Sequence, residues 1–234
     1  MKTQQSGFTL VEIAIVLVIV GLIIGGLVTP LAAQLEQRKV SETQRALDEA
    51  KEALYGFALR NGYLPCPAVS ASNGLEDRSG ANCSDDKRLG YLPWATLGLA
   101  KLDAWNHLYR YSVSPAFSSS SPVFTLRSAR DITVATRDGS GALAPATGVN
   151  DTVAVLLSHG RNGYGATSEQ NTVLADRSAN NPDEKTNLGG DGRQYIARSS
   201  NDNLNAPGGE FDDIVVWISP NILYNRMVAA QRLP

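Results

Sequence analysis

Hydrophobic side chains are concentrated near the N-terminus of this chain of 234 residues. Between Glu12 and Glu36 lie 23 residues, 13–35, that carry no charged side chain. A helix of this length is sufficient to cross the hydrocarbon core of a bilayer, which is about 30 Å thick. A buried helix of a soluble protein is the alternative, but a helix in a globular protein usually has a charged face. The pattern therefore predicts a membrane-spanning helix.

Beyond this run, the spacing of the apolar side chains becomes that of an amphipathic helix. Apolar side chains recur at three- to four-residue spacing between charged positions, at Val40, Leu47, Ala50, Leu54, Phe57 and Ala58. The pair Asn61-Gly62 is a typical helix stop. We predict one helix that covers 8–35 and continues as an amphipathic helix over 36–61, with Gly25-Gly26 and Pro30 as possible kinks.

Short strand-like runs follow an irregular stretch at 63–104 that contains several Pro and Gly residues. The runs are 107–113, 123–126, 132–136, 153–157, 194–197 and 214–218. Ser219-Pro220 then has the form of an N-cap followed by the first residue of a short terminal helix. This order predicts an α+β fold, in which the long N-terminal helix packs on an antiparallel β-sheet head over 62–234.

Charge and short motifs argue against two classes of function. The 21 basic and 23 acidic residues give a net charge of −2, so we expect no nucleic-acid partner. Residues 84–87 fit the pattern Ser-x-x-Lys, but the companion motifs of that enzyme class are missing. Ser158 and His159 are adjacent on a predicted strand and would point to opposite faces. We therefore expect no enzyme activity.

The chain has two cysteines, Cys66 and Cys83. In a head that lies outside the cytoplasm they would form one disulfide, which closes a loop of about 17 residues and contributes roughly 3 kcal/mol. Two free thiols are the alternative. The two histidines, His107 and His159, lack the close paired spacing of zinc ligands.

Residues 7–12 have the sequence Gly-Phe-Thr-Leu-Val-Glu, which resembles the processing site of type IV prepilins. The resemblance implies that a membrane-bound prepilin peptidase removes residues 1–7 as a leader. It cleaves between Gly7 and Phe8 and methylates the new amino group of Phe8. A conventional signal peptide is a poorer match, because Lys2 is the only charged residue before the apolar run and Glu12 interrupts that run.

Glu12 also has a physical reason to take part in assembly. A carboxylate within hydrocarbon costs about 2.5–3.5 kcal/mol on insertion scales, so it requires a partner. The amine of processed Phe8 lies four residues earlier, on the same helix face. In a filament, Glu12 would instead reach the amine of a neighbouring subunit. The pilin resemblance implies this assembly role.

Three later segments are similar to the major pseudopilin of type II secretion. They are residues 103–109 (Asp-Ala-Trp-Asn-His-Leu-Tyr), 158–163 (Ser-His-Gly-Arg-Asn-Gly) and 212–217 (Asp-Asp-Ile-Val-Val-Trp). That family holds calcium in the loop before the Trp-bearing strand. The resemblance therefore implies calcium at Asp212 and Asp213, with Asn162 at a position where the family has Asp. A solvated acidic turn is the alternative, and a site that uses both aspartates requires 212–213 to lie outside the strand.

The sequence is thus interpreted as a structural subunit of a type II secretion pseudopilus or a type IV pilus-like filament. The expected location is the bacterial inner membrane, with the N-terminus in the cytoplasm and the head in the periplasm or in an extracellular filament. Its expected partners are prepilin peptidase and other pilin or pseudopilin subunits. Two alternatives remain: a minor type IV pilin in adhesion or DNA uptake, and a membrane-tethered periplasmic binding module that does not polymerise.

Overall fold

A computed structural model describes residues 9–233 of the chain, apart from the side chains of residues 24 and 26–30. The predicted cleavage and methylation positions, Gly7 and Phe8, lie outside the described residues. The chain forms two compact units, of which one ends at Ser41 and the other begins at Glu42. The helices are α1 (Leu10–Asn61), α2 (Trp94–Leu97), α3 (Pro115–Ser118), α4 (Pro182–Asn187) and α5 (Pro220–Ala229). The strands are β1 (Arg78–Ser79), β2 (Asn82–Cys83), β3 (Leu89–Tyr91), β4 (Arg110–Val113), β5 (Thr133–Arg137), β6 (Leu143–Pro145), β7 (Ala154–Ser158), β8 (Gln194–Ile196) and β9 (Ile214–Ile218).

Helix α1 is a single helix of 52 residues that continues through the Gly25-Gly26 pair and Pro30. It ends where the sequence indicates, because Gly62 adopts a φ of +87° and donates its N–H to the carbonyl of Ala58. A positive φ is the backbone conformation that ends many helices, and glycine adopts it without steric cost. Within the part of the chain that the structure describes, no helix is long and apolar enough to cross a membrane.

The main sheet is antiparallel, with the strand order β3-β4-β7-β9. One face of it packs on the amphipathic part of α1, where Leu47 and Leu54 are fully buried. The same core includes Tyr111 of β4 and Leu156 of β7. Burial of these apolar side chains is the main stabilising contribution to this unit. The predicted α+β packing of a helix on an antiparallel sheet is therefore confirmed for the second unit.

The C-terminal helix α5 closes this core against α1. Leu223 and Met227 of α5 are fully buried in the same cluster as the α1 side chains. Arg226 makes a bidentate ion pair with Glu52 of α1. Just after α5, the guanidinium of Arg232 donates to the carbonyls of residues 59 and 60, at 2.8 and 2.9 Å. These carbonyls belong to the last turn of α1, so the C-terminus of the chain caps the long helix.

A second sheet, with the order β6-β5-β8, corrects the prediction of a purely antiparallel head. Strands β5 and β6 are antiparallel, whereas β5 and β8 are parallel. The apolar contact with the main sheet is made by Val134 and Tyr195, which pack with Val155 and Leu157 of β7. Strand β7 is buried along its whole length because it contributes side chains to both of these cores.

The predicted strand at 123–126 is wrong. Phe124 is almost completely buried against the rings of Phe117 and Tyr224, while Val123 and Leu126 are exposed. The apolar run thus anchors a loop through one aromatic ring instead of pairing with a strand. The predicted strand at 107–113 is shorter in the structure, where β4 begins at Arg110.

The disulfide between Cys66 and Cys83 is present, as predicted, with a Cα–Cα distance of 5.4 Å. Both cysteines are buried. The segment that they close is more ordered than the sequence indicates, because it contains the small hairpin of β1 and β2. The disulfide therefore fixes a folded element to the head.

Candidate functional site

The register of β7 and β9 brings two of the sequence motifs together. Ser158 at the end of β7 pairs with Ile214 at the start of β9. The residues that follow β7 therefore lie beside Asp212 and Asp213, which precede β9. Because β9 begins at Ile214, both aspartates lie outside the strand, which is the condition that a shared site requires.

Three carboxylates meet at this place. Oxygen atoms of Glu184, Asp212 and Asp213 lie within 4.8 Å of one another. Glu184 comes from α4, is fully buried and accepts hydrogen bonds from neutral donors. These donors are the side-chain amides of Asn162 (2.8 and 3.0 Å) and Asn181 (3.0 Å), together with the backbone N–H of Asp212 (2.9 Å). Among the described residues, no Lys or Arg forms an ion pair with these three carboxylates.

Asp213 is held from two sides. The amide of Asn187 donates to its Oδ2 at 2.8 Å and also to the carbonyl of Ile196 in β8. Its Oδ1 lies 3.5 Å from Nδ1 of His159, and neither of these two side chains is exposed to solvent. Within the described part of the chain, Oδ1 of Asp212, Oδ1 of Asp213 and both ring nitrogens of His159 are buried without a hydrogen-bond partner. Buried polar atoms of this kind usually have a partner, so the cluster has unused ligand capacity.

The electrostatics of the cluster disfavour three free negative charges. Burial raises the pKa of Asp212 to about 8, and the nearby carboxylates of Glu184 and Asp213 add to this, although the N–H of Asn162 opposes it. Burial also raises the pKa of Glu184, with a further contribution from Asp213. Removing charged groups from water and placing like charges together both favour the neutral form. The cluster would therefore gain stability from either protons or a bound cation.

The donor set is suited to a hard cation. The unpartnered oxygens of Asp212 and Asp213 belong to carboxylates, which are ligands that Ca²⁺ accepts readily. The residues present therefore fit the calcium that the sequence resemblance implies.

Of the predicted ligands, Asp212 and Asp213 lie together with Glu184, and Asn162 contacts two of these carboxylates. Its amide nitrogen donates to Glu184 and its backbone N–H donates to Asp212 at 2.8 Å. Its Oδ1 accepts the N–H of Tyr164. Asn162 therefore contacts Glu184 through its side chain and Asp212 through its backbone.

Sequence reasoning missed Glu184. No helix is predicted between the strand-like runs at 153–157 and 194–197, but the structure has α4 there. The sequence does carry a signal, since Asn181-Pro182 followed by Asp183 and Glu184 has the form of an N-cap, a first-position proline and an acidic first turn. That signal predicts a helix start, but it does not show where the helix packs.

The first of the three pseudopilin-like segments, 103–109, contacts the same end of β7. Oδ2 of Asp103 accepts a hydrogen bond of 2.6 Å from the hydroxyl of Ser158. Its Oδ1 accepts the backbone N–H groups of Trp105 and His107. Burial lowers the pKa of His107, although the Asp103 carboxylate opposes this. Ser158 and His159 thus contact two different carboxylates.

At the other end of the chain, Glu12 lies in the first turn of α1. The N–H and the hydroxyl of Thr9 both donate to Oε2 of Glu12, at 2.8 and 2.7 Å, and the N–H of Glu12 donates back to the Thr9 hydroxyl at 3.3 Å. This reciprocal arrangement is a capping box, which satisfies free N–H groups at the start of a helix. This role of Thr9 goes beyond what the methylation-type pattern at residues 7–12 indicates.

Comparison with known proteins identifies the N-terminal segment. Residues 2–28 match the sequence family described as the prokaryotic N-terminal methylation motif, and the match includes Gly7, Phe8 and Glu12. Neither the curated proteins nor the solved structures gave a match to the chain. The N-terminus of this chain is therefore a prokaryotic N-terminal methylation motif, the prepilin motif of type IV pilin-like proteins.

Proposed function

We propose that this chain is a structural subunit of a type IV pilus-like or type II secretion pseudopilus filament. The observation that carries the proposal is the methylation motif at 2–28, with Glu12 in the first turn of a long helix. Processing would leave Phe8 as the methylated N-terminus, and the uncharged run at 13–35 would hold the subunit in the inner membrane before assembly.

The geometry around Glu12 supports an assembly role. Both hydrogen bonds from Thr9 go to Oε2, so among the described residues Oε1 stays available for the amine of an incoming subunit. An ammonium group in contact with this carboxylate would offset the cost of placing the charge in an apolar surrounding. The pair would also fix the axial position of one subunit relative to the next.

This proposal is tested in cells that express the full chain. Glu12→Gln keeps the size of the side chain but removes its charge, so we expect normal processing and a loss of sheared filaments on immunoblots. Glu49→Gln is the control, because Glu49 is an exposed acid on the same helix. Normal filament yield from Glu12→Gln would contradict the proposed role of Glu12.

Between the two kinds of filament, the head favours a pseudopilin. Asp103 and Ser158 come from two of the three segments that resemble the pseudopilin family, and they contact each other directly. A minor type IV pilin remains the second candidate. Expression of the chain in hosts with only a secretion system or only a pilus system would separate the two.

We further infer that the carboxylate cluster binds calcium as a structural ion of the head. The unpartnered buried oxygens of Asp212 and Asp213, next to buried Glu184, support this role. Glu184, Asp212 and Asp213 would hold the ion, and Asn162, Asn181 and Asn187 would orient them. A bound Ca²⁺ would supply the positive charge that the cluster lacks.

A further inference from the structure

The first turn of α4 carries two adjacent acidic residues with opposite surroundings. Asp183 is almost completely buried, and its carboxylate is held by two arginines. Arg137 donates from Nη2 to Oδ1 at 2.6 Å and from Nε to Oδ2 at 2.8 Å, and Arg198 donates from Nε to Oδ2 at 2.7 Å. Glu184, the next residue, meets amides and two other carboxylates instead. We call Arg137, Asp183 and Arg198 the clamp.

Both arginines are themselves fixed. Nη1 of Arg137, on β5, donates to the carbonyl of Gly141 at 2.7 Å. Nη2 of Arg198 donates to the carbonyl of Gly209 at 2.8 Å, and its guanidinium lies over the ring of Phe211 at 4.5 Å. At Gly208, a Cβ atom would lie 1.9 Å from Oδ2 of Asp183, so only glycine allows the chain to approach this closely. The clamp is therefore a packed, charge-assisted network.

Helix α4 depends on such polar contacts for its position. It has only six residues, and its buried side chains are Asp183, Glu184 and Asn187, all of them polar. A helix this short is not stable by itself and requires tertiary contacts. The clamp supplies those contacts at the N-terminal turn, which is the turn that carries Glu184.

We propose that the clamp positions Glu184 as a cation ligand, so that Arg137 and Arg198 are required for calcium affinity although neither touches the ion. This inference rests on the calcium site proposed above. In this proposal, two positively charged residues help to position a ligand for a positively charged ion. Groups that orient metal ligands typically change metal affinity 10- to 100-fold when they are mutated.

Charge repulsion and ligand positioning predict opposite changes in calcium affinity when Arg198 is replaced by a neutral residue. This difference makes the proposal testable. A guanidinium near the cluster repels a cation, so if charge alone matters, Arg198→Gln should tighten calcium binding. If the clamp positions Glu184, the same change should weaken binding. Arg137→Lys adds a second test, because it keeps the charge but loses the planar fork that holds Asp183. Charge alone predicts no change for this variant.

The experiment is calcium titration calorimetry on the full chain in detergent, with the melting temperature in chelator as a measure of folding. We expect the Kd for CaCl2 to rise about tenfold or more in both Arg198→Gln and Arg137→Lys. The preference for CaCl2 over MgCl2 should also fall, because a loosened Glu184 no longer enforces one cavity size. Arg226→Gln is the matched control, since it removes an exposed bidentate pair with Glu52 and should leave the Kd unchanged.

The outcomes separate the two proposals. If the unmodified chain does not bind calcium, the calcium site itself is refuted. If the unmodified chain binds calcium and the clamp variants bind it equally well or more tightly, the clamp proposal is refuted and the calcium site stands. A lower melting temperature in chelator with an unchanged Kd would likewise show that the clamp only stabilises the fold. If Arg198→Gln does not fold, the milder Arg137→Lys decides.

Discussion

Glu184 and Asp212 are separated by 28 positions, yet Oε1 of Glu184 accepts the backbone N–H of Asp212 at 2.9 Å. This hydrogen bond holds two acidic residues beside each other in a largely buried place. The contact joins a segment outside the three pseudopilin-like motifs to the last of those motifs. The candidate calcium site therefore includes a carboxylate that the motif alone does not provide.

The N-terminal motif predicts the mature form of the protein. We expect mass spectrometry of protein from a host with prepilin peptidase to find an N-methylated Phe8 and no residues 1–7. In a host without the peptidase, the same chain should keep its leader and an unmethylated N-terminus. A mature protein that begins at Gln34 would contradict the pilin-like assignment of this segment.

The carboxylate cluster predicts stabilisation by calcium. At a calcium concentration about 100 times the Kd, the free energy of unfolding should increase by about 2.7 kcal/mol, which is measurable as a higher melting temperature. Glu184→Gln should remove this shift, because it keeps the size of the side chain but removes a carboxylate that would hold the ion. Glu169→Gln, which changes an exposed acid, should leave the calcium shift intact. Equal melting temperatures of the unmodified chain in calcium and chelator would argue against the site.

The raised pKa values predict how stability changes with pH in the absence of metal ions. Burial raises the pKa of Asp212 from 3.8 to about 8 and also raises that of Glu184. Because the folded state binds these protons more tightly, the stability that they contribute is complete below about pH 4 and is lost as the pH rises towards 8. We expect the melting temperature to fall between about pH 5 and pH 8 and to change little above that. Asp212→Asn should flatten the profile, and a profile of the unmodified chain that is already flat would contradict the prediction.

The disulfide predicts a redox-dependent stability. Reduction of Cys66 and Cys83, or a double change to Ser, should lower the free energy of unfolding by about 3 kcal/mol, because the open chain gains conformational freedom when it unfolds. The measurement is thermal unfolding of the full chain with and without reductant, in which the double Ser variant should show no response to reductant. Alkylation of both thiols in native, unreduced protein would count against the bond.

The sequence predicts the elements whose side chains follow one simple period. The amphipathic part of α1 and the apolar run of β7 are recognisable because each has a continuous buried surface. The cysteine pair is equally simple, since two cysteines allow one intramolecular pairing. In these cases, the local pattern and the tertiary environment agree.

The rest depends on contacts between distant segments. Strands β5 and β8 pair in parallel. The hydrophobic pattern of one strand does not show which other strand it pairs with or in which direction. Glu184 lies in a helix whose buried residues are polar, so hydrophobic periodicity does not detect it. At 123–126 the apolar residues suggest a strand, but one ring, that of Phe124, accounts for the burial.

The capping of α1 by Arg232 has a consequence for the order of events during synthesis. The amphipathic part of α1 is made early, but the side chains that cover it include Leu223 and Met227, and its last carbonyls are bound by Arg232. All three are synthesised long after the helix residues that they contact. Part of the apolar surface of α1 therefore stays uncovered until α5 and Arg232 have been synthesised. Folding of this part of the core in this way depends on residues that are synthesised late.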